Sequence, residues 1–547
     1  MPAAYELQIG PEPASSPSAG RSVDLSPAGS FGLVLVFVLG LAAFGLLDTV
    51  RQNPTLRWSC LWAASLLLAW NVVLFASAQP KGRIRTLEVA PRKQHYLQAC
   101  AQGLVLLYWG WYWPQVYDSA VLIAAQLVFA YAFDMLLGWS RRDAYRFGFG
   151  PFPVIFSINL FLWFADDWFY LQFLLVALGF TAKELIRWDK EGRRVHIFNP
   201  ASFPLAVFAL ALIVTGMSDI TWGQDIAITQ FYPPNVYVML FLVALPSQFF
   251  FGVTSMTMSA VVATYVFGLL YFAATGIYFF YDSYIPIAVF LGMHLLFTDP
   301  STSPRTELGR IMFGILYGLS TVALYVLLGR VGVPTFYDKL LQVPILNLSI
   351  KLLDRAARSK TLRVFDPGAL GRSLAPYQRN LAYMSAWAVV FAFMSVAGGL
   401  GDRHPGQWLP FWQQACTDQR PYACPYLAAR QSTHCDSGSG WACNQAGTLY
   451  VALSRSGEDQ GQLDPAAAPA AFERGCELGF VPACENLLKM LNGTGAFELA
   501  PPTLEDYPII LTGSKGVITD RTPAALYARA CRQGWPNTCG RFRAESN

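Results

Sequence analysis

Residues 297–319 read FTDPSTSPRTELGRIMFGILYGL. An apolar run stops at Asp299-Pro300, passes through Ser301, Thr302, Ser303, Pro304 and Thr306, and resumes as glycine-rich apolar sequence. Two prolines restrict the backbone of such a loop, and its hydroxyls can satisfy main-chain groups left open at two helix ends. Irregular backbone between apolar helices is tolerated where it is buried in protein or lines a polar cavity. The stretch therefore reads as a well-capped connection or as the mouth of a ligand or ion site, provided its flanks are membrane helices.

Composition supports that proviso. The 547 residues are 54% hydrophobic and 15% aromatic but only 14% charged, with a mean hydropathy of +0.36. Soluble domains carry about 25% charged residues, so the chain reads as a polytopic membrane protein, with lipid and not nucleic acid around it. Apolar windows of bilayer-crossing length, about 17–25 residues, lie at 30–48, 58–78, 97–117, 119–138, 150–166, 168–186, 198–217, 235–251, 253–274, 283–298, 309–329, 336–354 and 378–400. The expected fold is all-α, a bundle of about thirteen spans. The first window lacks a basic leader and a cleavage site and reads as a retained helix, not a signal peptide.

Alternate loops carry very different charge. One set holds twenty-one Lys and Arg, including Arg21, Lys81 to Lys93, Arg141 to Arg146, Lys183 to Arg194, and Arg355 to Arg372. The other holds three: Arg51, Arg57 and Arg330. Basic loops stay in the cytoplasm, so the N-terminus is expected inside and, after an odd number of spans, residues 401–547 outside.

Eight of the ten cysteines fall in that last segment and pair off as Cys416 with Cys424, Cys435 with Cys443, Cys476 with Cys484, and Cys531 with Cys539. Each pair is Cys-x7-Cys, and Gly438, Gly479 and Gly534 stand three residues after the first cysteine. A glycine there ends one helix so that the next can start before the second cysteine, and two cysteines flanking a tight αα turn can meet as a disulfide. Disulfides persist in an oxidising compartment, which agrees with an external tail. Zinc would need shorter Cys-x2–4-Cys clusters.

These units, clearest in CELGFVPACENL (476–487) and CDSGSGWACNQAGTLY (435–450), resemble Sel-like repeats, relatives of the tetratricopeptide helical pairs. The resemblance implies an α-solenoid that docks a periplasmic protein; a disulfide-stapled cap with no partner is the plainer alternative.

The membrane part carries a second resemblance. GMHLLFTDPSTSPRTELGRIMFGILYGL (292–319) is similar to the Thr-Asp-Pro signature of the RnfD/NqrB family, integral subunits of ion-translocating flavin electron-transport complexes. KELIRWDKEGRRVHIFNPASFPLAVFAL (183–210) resembles the family's charged loop and Asn-Pro-Ala helix, FGVTSMTMSAVVATYVFGLLY (251–271) its Gly-Glu-Thr-Ser helix with Val253 in the Glu place, and VPILNLSIKLLDRAA (343–357) its closing helix. The four segments keep the family's order over roughly residues 90–357.

What the resemblance implies is a ten-helix core of two inverted halves, 97–186 and 198–354, in a bacterial inner membrane beside other redox subunits. It implies FMN joined through its phosphate to a threonine of the external loop after the Asn-Pro-Ala helix. The aligned hydroxyl is Thr229, with Asp225 as the nearby acid; Trp222, Phe231 and Tyr232 flank that loop and could stack on the ring of a flavin held without a covalent bond. The family's Ser/Thr-Gly pair is absent before Thr229, which leaves open a flavin-less scaffold or small-solute channel on the same core. Asn199, Thr254, Ser255, Asp299 and Thr302 match the family's other cofactor-lining segments; riboflavin and quinone contacts match no position. Asp299 and Ser301 to Ser303 are expected to line a cytoplasmic cavity mouth together with the Asn199 helix start, whose free N–H groups would favour an anionic ligand.

The organisation that follows is 1–29, a polar cytoplasmic segment; 30–90, two extra membrane helices and a basic loop; and 91–357, the membrane core. A basic linker (358–376), a final membrane helix (377–400) and the Cys-rich repeat domain (401–547) complete it. Asp134 is expected to pair with the basic loop beside it, Asn71 and Asn159 to bridge helices, His294 to be a satisfied core histidine, and Cys60 and Cys100 to be buried. No His-Glu-x-x-His, Gly-x-Ser-x-Gly or phosphate-binding loop is present, so no catalytic or metal site is expected.

Overall fold

The computed structural model describes residues 21–190, 192–370, 374–400, 404–456, 466–493, 496–512 and 518–545. Residues 1–20 of the polar start and Arg372 of the linker lie outside the described residues. The chain forms two compact units, 1–264 with 287–393, and 265–286 with 394–547.

The first unit is mostly helical. Two helices lead, α1 (Pro27–Phe44) and α2 (Pro54–Ala78), each started by a proline and capped by the residue before it, Ser26 and Asn53. A run of five follows: α3 (Lys93–Tyr112), α4 (Ala120–Arg141), α5 (Pro151–Asn159), α6 (Tyr170–Leu185) and α7 (Ser202–Thr215). A second run of five comprises α8 (Val236–Phe251), α9 (Thr254–Thr275), α10 (Ile287–Leu295), α11 (Glu307–Arg330) and α12 (Gln342–Ala357), followed by α13 (Pro376–Val396); residues 265–275 of α9 and 394–396 of α13 are counted with the second unit.

A helix stands in every predicted window, yet among the described residues only five are long and apolar enough to cross a membrane: 27–44, 54–81, 115–141, 254–275 and 307–330. The other windows hold helices that are shorter or less apolar, because hydropathy does not register where a helix breaks. α5 and α10 have nine residues each, a rise of about 14 Å against the roughly 30 Å of a bilayer's hydrocarbon.

Both short helices stand third in their runs, and the packing repeats with them. The first helix of each run packs on the third (α3 on α5, α8 on α10) and the fourth on the fifth (α6 on α7, α11 on α12). First then meets first (α3 with α8) and fifth meets fifth (α7 with α12). The division between halves therefore falls after Thr215, where the sequence segments had suggested a break between 186 and 198.

Two small sheets depart from the all-α expectation, and both lie in loops predicted to be basic. β1 (Arg21–Leu25) pairs antiparallel with β2 (Arg85–Val89), which pairs parallel with β3 (Ala144–Phe147). Arg146 binds Glu88 at 2.8 Å and Arg83 binds Asp143 at 2.5 Å along this sheet. β4 (Arg187–Lys190) and β5 (Arg193–His196) form a hairpin.

The second unit contains the four disulfides in the predicted pairing. Cys416 is bonded to Cys424 and Cys435 to Cys443, with Cα–Cα separations of 4.6 and 4.5 Å. Cys476 is bonded to Cys484 and Cys531 to Cys539, each with a separation of 4.7 Å. The bridges differ in cover: Cys424 is half-buried and Cys539 exposed, whereas Cys435 and Cys443 are buried. Gly438, Gly479 and Gly534 have φ of 102°, 80° and 82°, and the glycine-less first turn puts Gln419 there at 55°. Such a φ ends a helix. The hairpins so made are α14 (Leu409–Thr417) with α15 (Ala423–Asp436), α15 with α16 (Gly440–Ser456), α17 (Ala467–Glu477) with α18 (Val481–Leu491), and α19 (Pro523–Arg532) with α20 (Thr538–Glu545). Trp412, Leu427, Trp441, Tyr507, Leu526 and Trp535 share one core. The segment 265–286, expected within the membrane core, groups with this unit: the Tyr281 ring lies 4.0 Å from that of Tyr426, nearly parallel.

Candidate functional site

The loop 298–304 and the helix start at Asn199 come together as predicted, but they close on each other. The Asn347 amide on α12 bridges them: its Oδ1 accepts from Asn199 N–H at 3.2 Å and its Nδ2 donates to the Thr302 carbonyl at 3.2 Å. Asn199 caps its own helix, its Oδ1 accepting from the N–H groups of Ala201 and Ser202 at 2.9 and 3.0 Å. The N–H groups expected to hold an anion are thus already taken.

Asp299 is engaged as fully. Its carboxylate accepts from the Ser301 N–H at 2.9 Å and the Ser301 hydroxyl at 2.6 Å, and His196 Nε2 lies 3.3 Å away. Burial opposes its ionisation, but His196 and Ser301 more than offset this and hold the carboxyl well below the usual range. Although Ser, His and Asp sit together, Ser301 and Asp299 address the same ring nitrogen, so the histidine cannot relay a proton from one to the other. Lys190, buried in β4, donates to the Ser303 carbonyl at 2.7 Å, and Asp354 accepts from the N–H groups of Arg305 and Thr306, both at 2.9 Å. The loop is a clasp, not an open mouth.

Thr254 and Ser255 belong to another group. Thr254 donates to Asn380 Oδ1 at 3.1 Å and Ser255 to Glu307 at 2.9 Å; Glu307 also pairs with Arg310 at 2.6 Å, which donates as well to the Gly252 carbonyl at 2.7 Å and the Pro304 carbonyl at 3.1 Å. These contacts cap the end of α8 and the start of α11.

The loop expected outside the membrane answers the flavin expectation. Thr229 is 5% exposed, and its hydroxyl accepts from Trp109 Nε1 at 3.2 Å. A hydroxyl so covered is not presented to a phosphate, and the nearby charge, the exposed Asp225, would repel one. A phosphate-linked FMN at Thr229 does not fit these residues. Trp222 faces elsewhere, edge-on to Trp113 at 6.2 Å.

What Trp222 lines is a small, partly open cleft beside the broken α5, about 20 Å³ and so roomy enough for a water-sized molecule, shared with Gln126, Asn159, Trp163, Asp166 and Gln172. After Asn159 the buried chain runs on unwound through Phe164. Its main-chain groups find side chains and loops: Gln230 Nε2 donates to the Leu160 carbonyl at 2.6 Å, Phe164 N–H donates to Gln172 Oε1 at 3.2 Å, and Ala165 N–H to the Ile220 carbonyl at 2.8 Å. Asn159 and Gln126 exchange two amide bonds, at 3.1 and 2.9 Å, and Gln172 donates to Gln126 at 3.2 Å. Trp113 stacks on Trp163 at 5.5 Å, almost parallel. Burial, then the neighbouring Asp167, push the Asp166 carboxyl up.

The same solution recurs at α10. Its freed carbonyls at Leu295 and Leu296 accept from Gln98 Nε2 at 3.4 Å and Asn199 Nδ2 at 3.1 Å. The cleft was missed from sequence, although glutamines and an asparagine inside apolar windows were the available signal.

No family model, curated protein or solved structure matches this chain. The arrangement has to be read from its own residues.

The remaining expectations divide. Asn71 bridges α2 to α1 through the Phe31 carbonyl at 3.0 Å, and Asn159 bridges α5 to α4. Asp134 accepts from the Tyr145 hydroxyl at 3.2 Å in place of an arginine. His294 Nδ1 bonds the Phe290 carbonyl at 2.7 Å, while its Nε2 has no partner among the described residues. Cys60 is buried, but Cys100 is exposed. Among the described residues no group of three His, Cys, Asp or Glu could hold a metal ion.

Proposed function

We propose that this chain is a multi-pass membrane protein, N-terminus inside, whose RnfD/NqrB-like inverted-repeat core works without a covalent flavin. It anchors an extracytoplasmic, disulfide-stapled repeat domain that docks a periplasmic partner, and the cleft beside its broken helix has room for a water-sized polar molecule. Two runs of five helices with the same packing order, each with a short third helix, support a repeated core, and inverted repeats with broken helices are a recurring transporter design. The observation that carries the reading is Thr229, buried and bonded to Trp109 where the resemblance would present a flavin-bearing hydroxyl. The cleft favours a polar molecule because amides, indoles and one carboxyl line it.

Denaturing gels of the purified protein test the flavin part; a fluorescent flavin band that survives denaturation and disappears in Thr229→Val would overturn it. Docking is tested by deleting residues 405–547 with Tyr278 and Tyr281 changed to Ser, because those rings lose their cover. Periplasmic proteins that co-purify with the full chain should be lost, and an unchanged set refutes docking. A second reading, an electron-transport subunit with a dissociable flavin, draws on the stacked indoles Trp113 and Trp163 beside the cleft. It requires a visible flavin spectrum in mild detergent that is lost on denaturation.

A further inference from the structure

The repeat domain holds a stretch of its own chain against two of its helices. Residues 496–503, AFELAPPT, have no regular secondary structure. They run along α16 and α18, where two asparagines with no solvent exposure, Asn444 and Asn486, read a single residue of main chain. The Glu498 N–H donates to Asn486 Oδ1 at 2.7 Å, and the Glu498 carbonyl accepts from Asn486 Nδ2 at 2.9 Å and Asn444 Nδ2 at 3.0 Å. Asn486 Nδ2 also donates to Asn444 Oδ1 at 2.8 Å, which locks both amides in register. Further along, Trp441 Nε1 donates to the Ala500 carbonyl at 2.9 Å, and the Phe497 ring packs 5.3 Å from that of Phe472.

Side chains between these points lie largely open to solvent: Leu499 is 65% exposed, and the Glu498 carboxylate, 52% exposed, reaches Lys489 on α18 at 3.5 Å. An amide that pairs with both the N–H and the C=O of one residue recognises extended backbone whatever the side chain, and the aromatic contact adds the selectivity. Buried amides on two neighbouring helices cost free energy unless something bonds them. Here the segment supplies those bonds.

We infer that α16 and α18 form a groove for an extended peptide, and that residues 497–500 are a built-in occupant which a partner's peptide must displace. The preferred ligand is an unstructured segment carrying an aromatic residue followed by one with a free N–H, so proline is excluded at that second place. This deepens the docking reading and rests on it: the repeat domain would engage its partner only after giving up its own strap. Solenoid surfaces are suited to such ligands because their repeats present regularly spaced side chains.

The test uses the full chain in detergent and a fluorescent synthetic peptide copying 496–503, followed by anisotropy. The wild type, with its groove filled, should bind weakly. Phe497→Ser with Glu498→Pro, which removes the ring contact and the N–H given to Asn486, should bind at least tenfold more tightly. Adding Asn486→Leu to that variant should abolish binding, and a peptide with proline in the Glu498 place should not bind. Equal affinity of wild type and strap variant, or binding that survives Asn486→Leu, overturns the inference. Intact mass of each variant confirms the four disulfides. Independently of any variant, excess peptide should speed hydrogen exchange of the 496–503 segment in the wild type, and unchanged exchange refutes displacement. Peptide binding by the strap variant with no co-purifying periplasmic protein would uphold the groove and overturn the docking reading.

Discussion

Removing one hairpin disulfide should weaken the repeat domain by an amount that can be worked out from the chain. Each bridge joins cysteines eight residues apart, so it closes a loop of nine. The chain-entropy relation then gives about 2.6 kcal/mol at 25 °C for each. That figure should hold for Cys476→Ala with Cys484→Ala, whose side chains are only half-buried. Cys435→Ala with Cys443→Ala should cost more. Both of these residues are buried, Cys443 completely, and deleting their sulfurs leaves a void whose lining loses its contacts. Pulse proteolysis across a urea series, followed through a C-terminal tag, reads the unfolding midpoint. With a slope of roughly 1–3 kcal/mol per molar, the half-buried pair should lower the midpoint by about 1 M or more and the buried pair further. An unchanged midpoint for the buried pair refutes the energetic argument. Alkylation of Cys476 and Cys484 in the native, unreduced protein refutes the assignment itself.

Asn347→Leu strands the Asn199 N–H and the Thr302 carbonyl, and should lower the stability of the first unit by about 2–5 kcal/mol in detergent melting; Thr302→Val is the control, since Asn347 uses only the main chain of that residue. Gly314→Leu should disrupt the unit, because a Cβ there collides with the Met256 carbonyl and the Ser259 hydroxyl, whereas Gly32→Ala, with open space around it, should be tolerated; equal yields and melting points would refute the close approach of α9 and α11. His404 and His434 are buried, and burial lowers both pKa values to about 3. The unfolded chain therefore binds more protons than the folded one between about pH 6.5 and pH 3, and the stability of the repeat domain should fall as pH drops through that window. At pH 5 the loss is roughly 2 kcal/mol per histidine. His434→Gln should flatten the pH dependence of the urea midpoint, and an unaltered slope would count against it.

The repeat hairpins were legible because their determinants are local. The x7 spacing and a residue able to take positive φ at the third position act within a dozen residues, and Gln419, between Cys416 and Cys424, shows that the turn, more than the glycine, is the requirement. The broken helices were not legible. Pro151 and Pro300 mark where α5 begins and where the chain after α10 turns. Nothing local, however, states that Gln230 will reach the carbonyl of Leu160, seventy residues away, or that Asn347 will join Asn199 to Thr302. Such pairings are set by packing. Read singly, an amide in an apolar window says only that something polar must meet it.

The amides also separate the two places where a site was to be sought. Around Asp299 the loop hydroxyls, the helix-start N–H groups and the carboxylate bond mainly to one another, so a ligand entering there would have to break contacts before making any. Around α5 the amides of Gln126, Asn159 and Gln172 hold the unwound backbone and at the same time line a cleft with Asp166 and Trp222. A buried polar network that is closed on itself makes structure rigid; one that also faces open space offers a stranger something to bond. The polar loop at 297–319 that first suggests a site is therefore the clasp, and the polar surface left open is in the cleft by the other broken helix, where the sequence shows only a few amides in apolar surroundings.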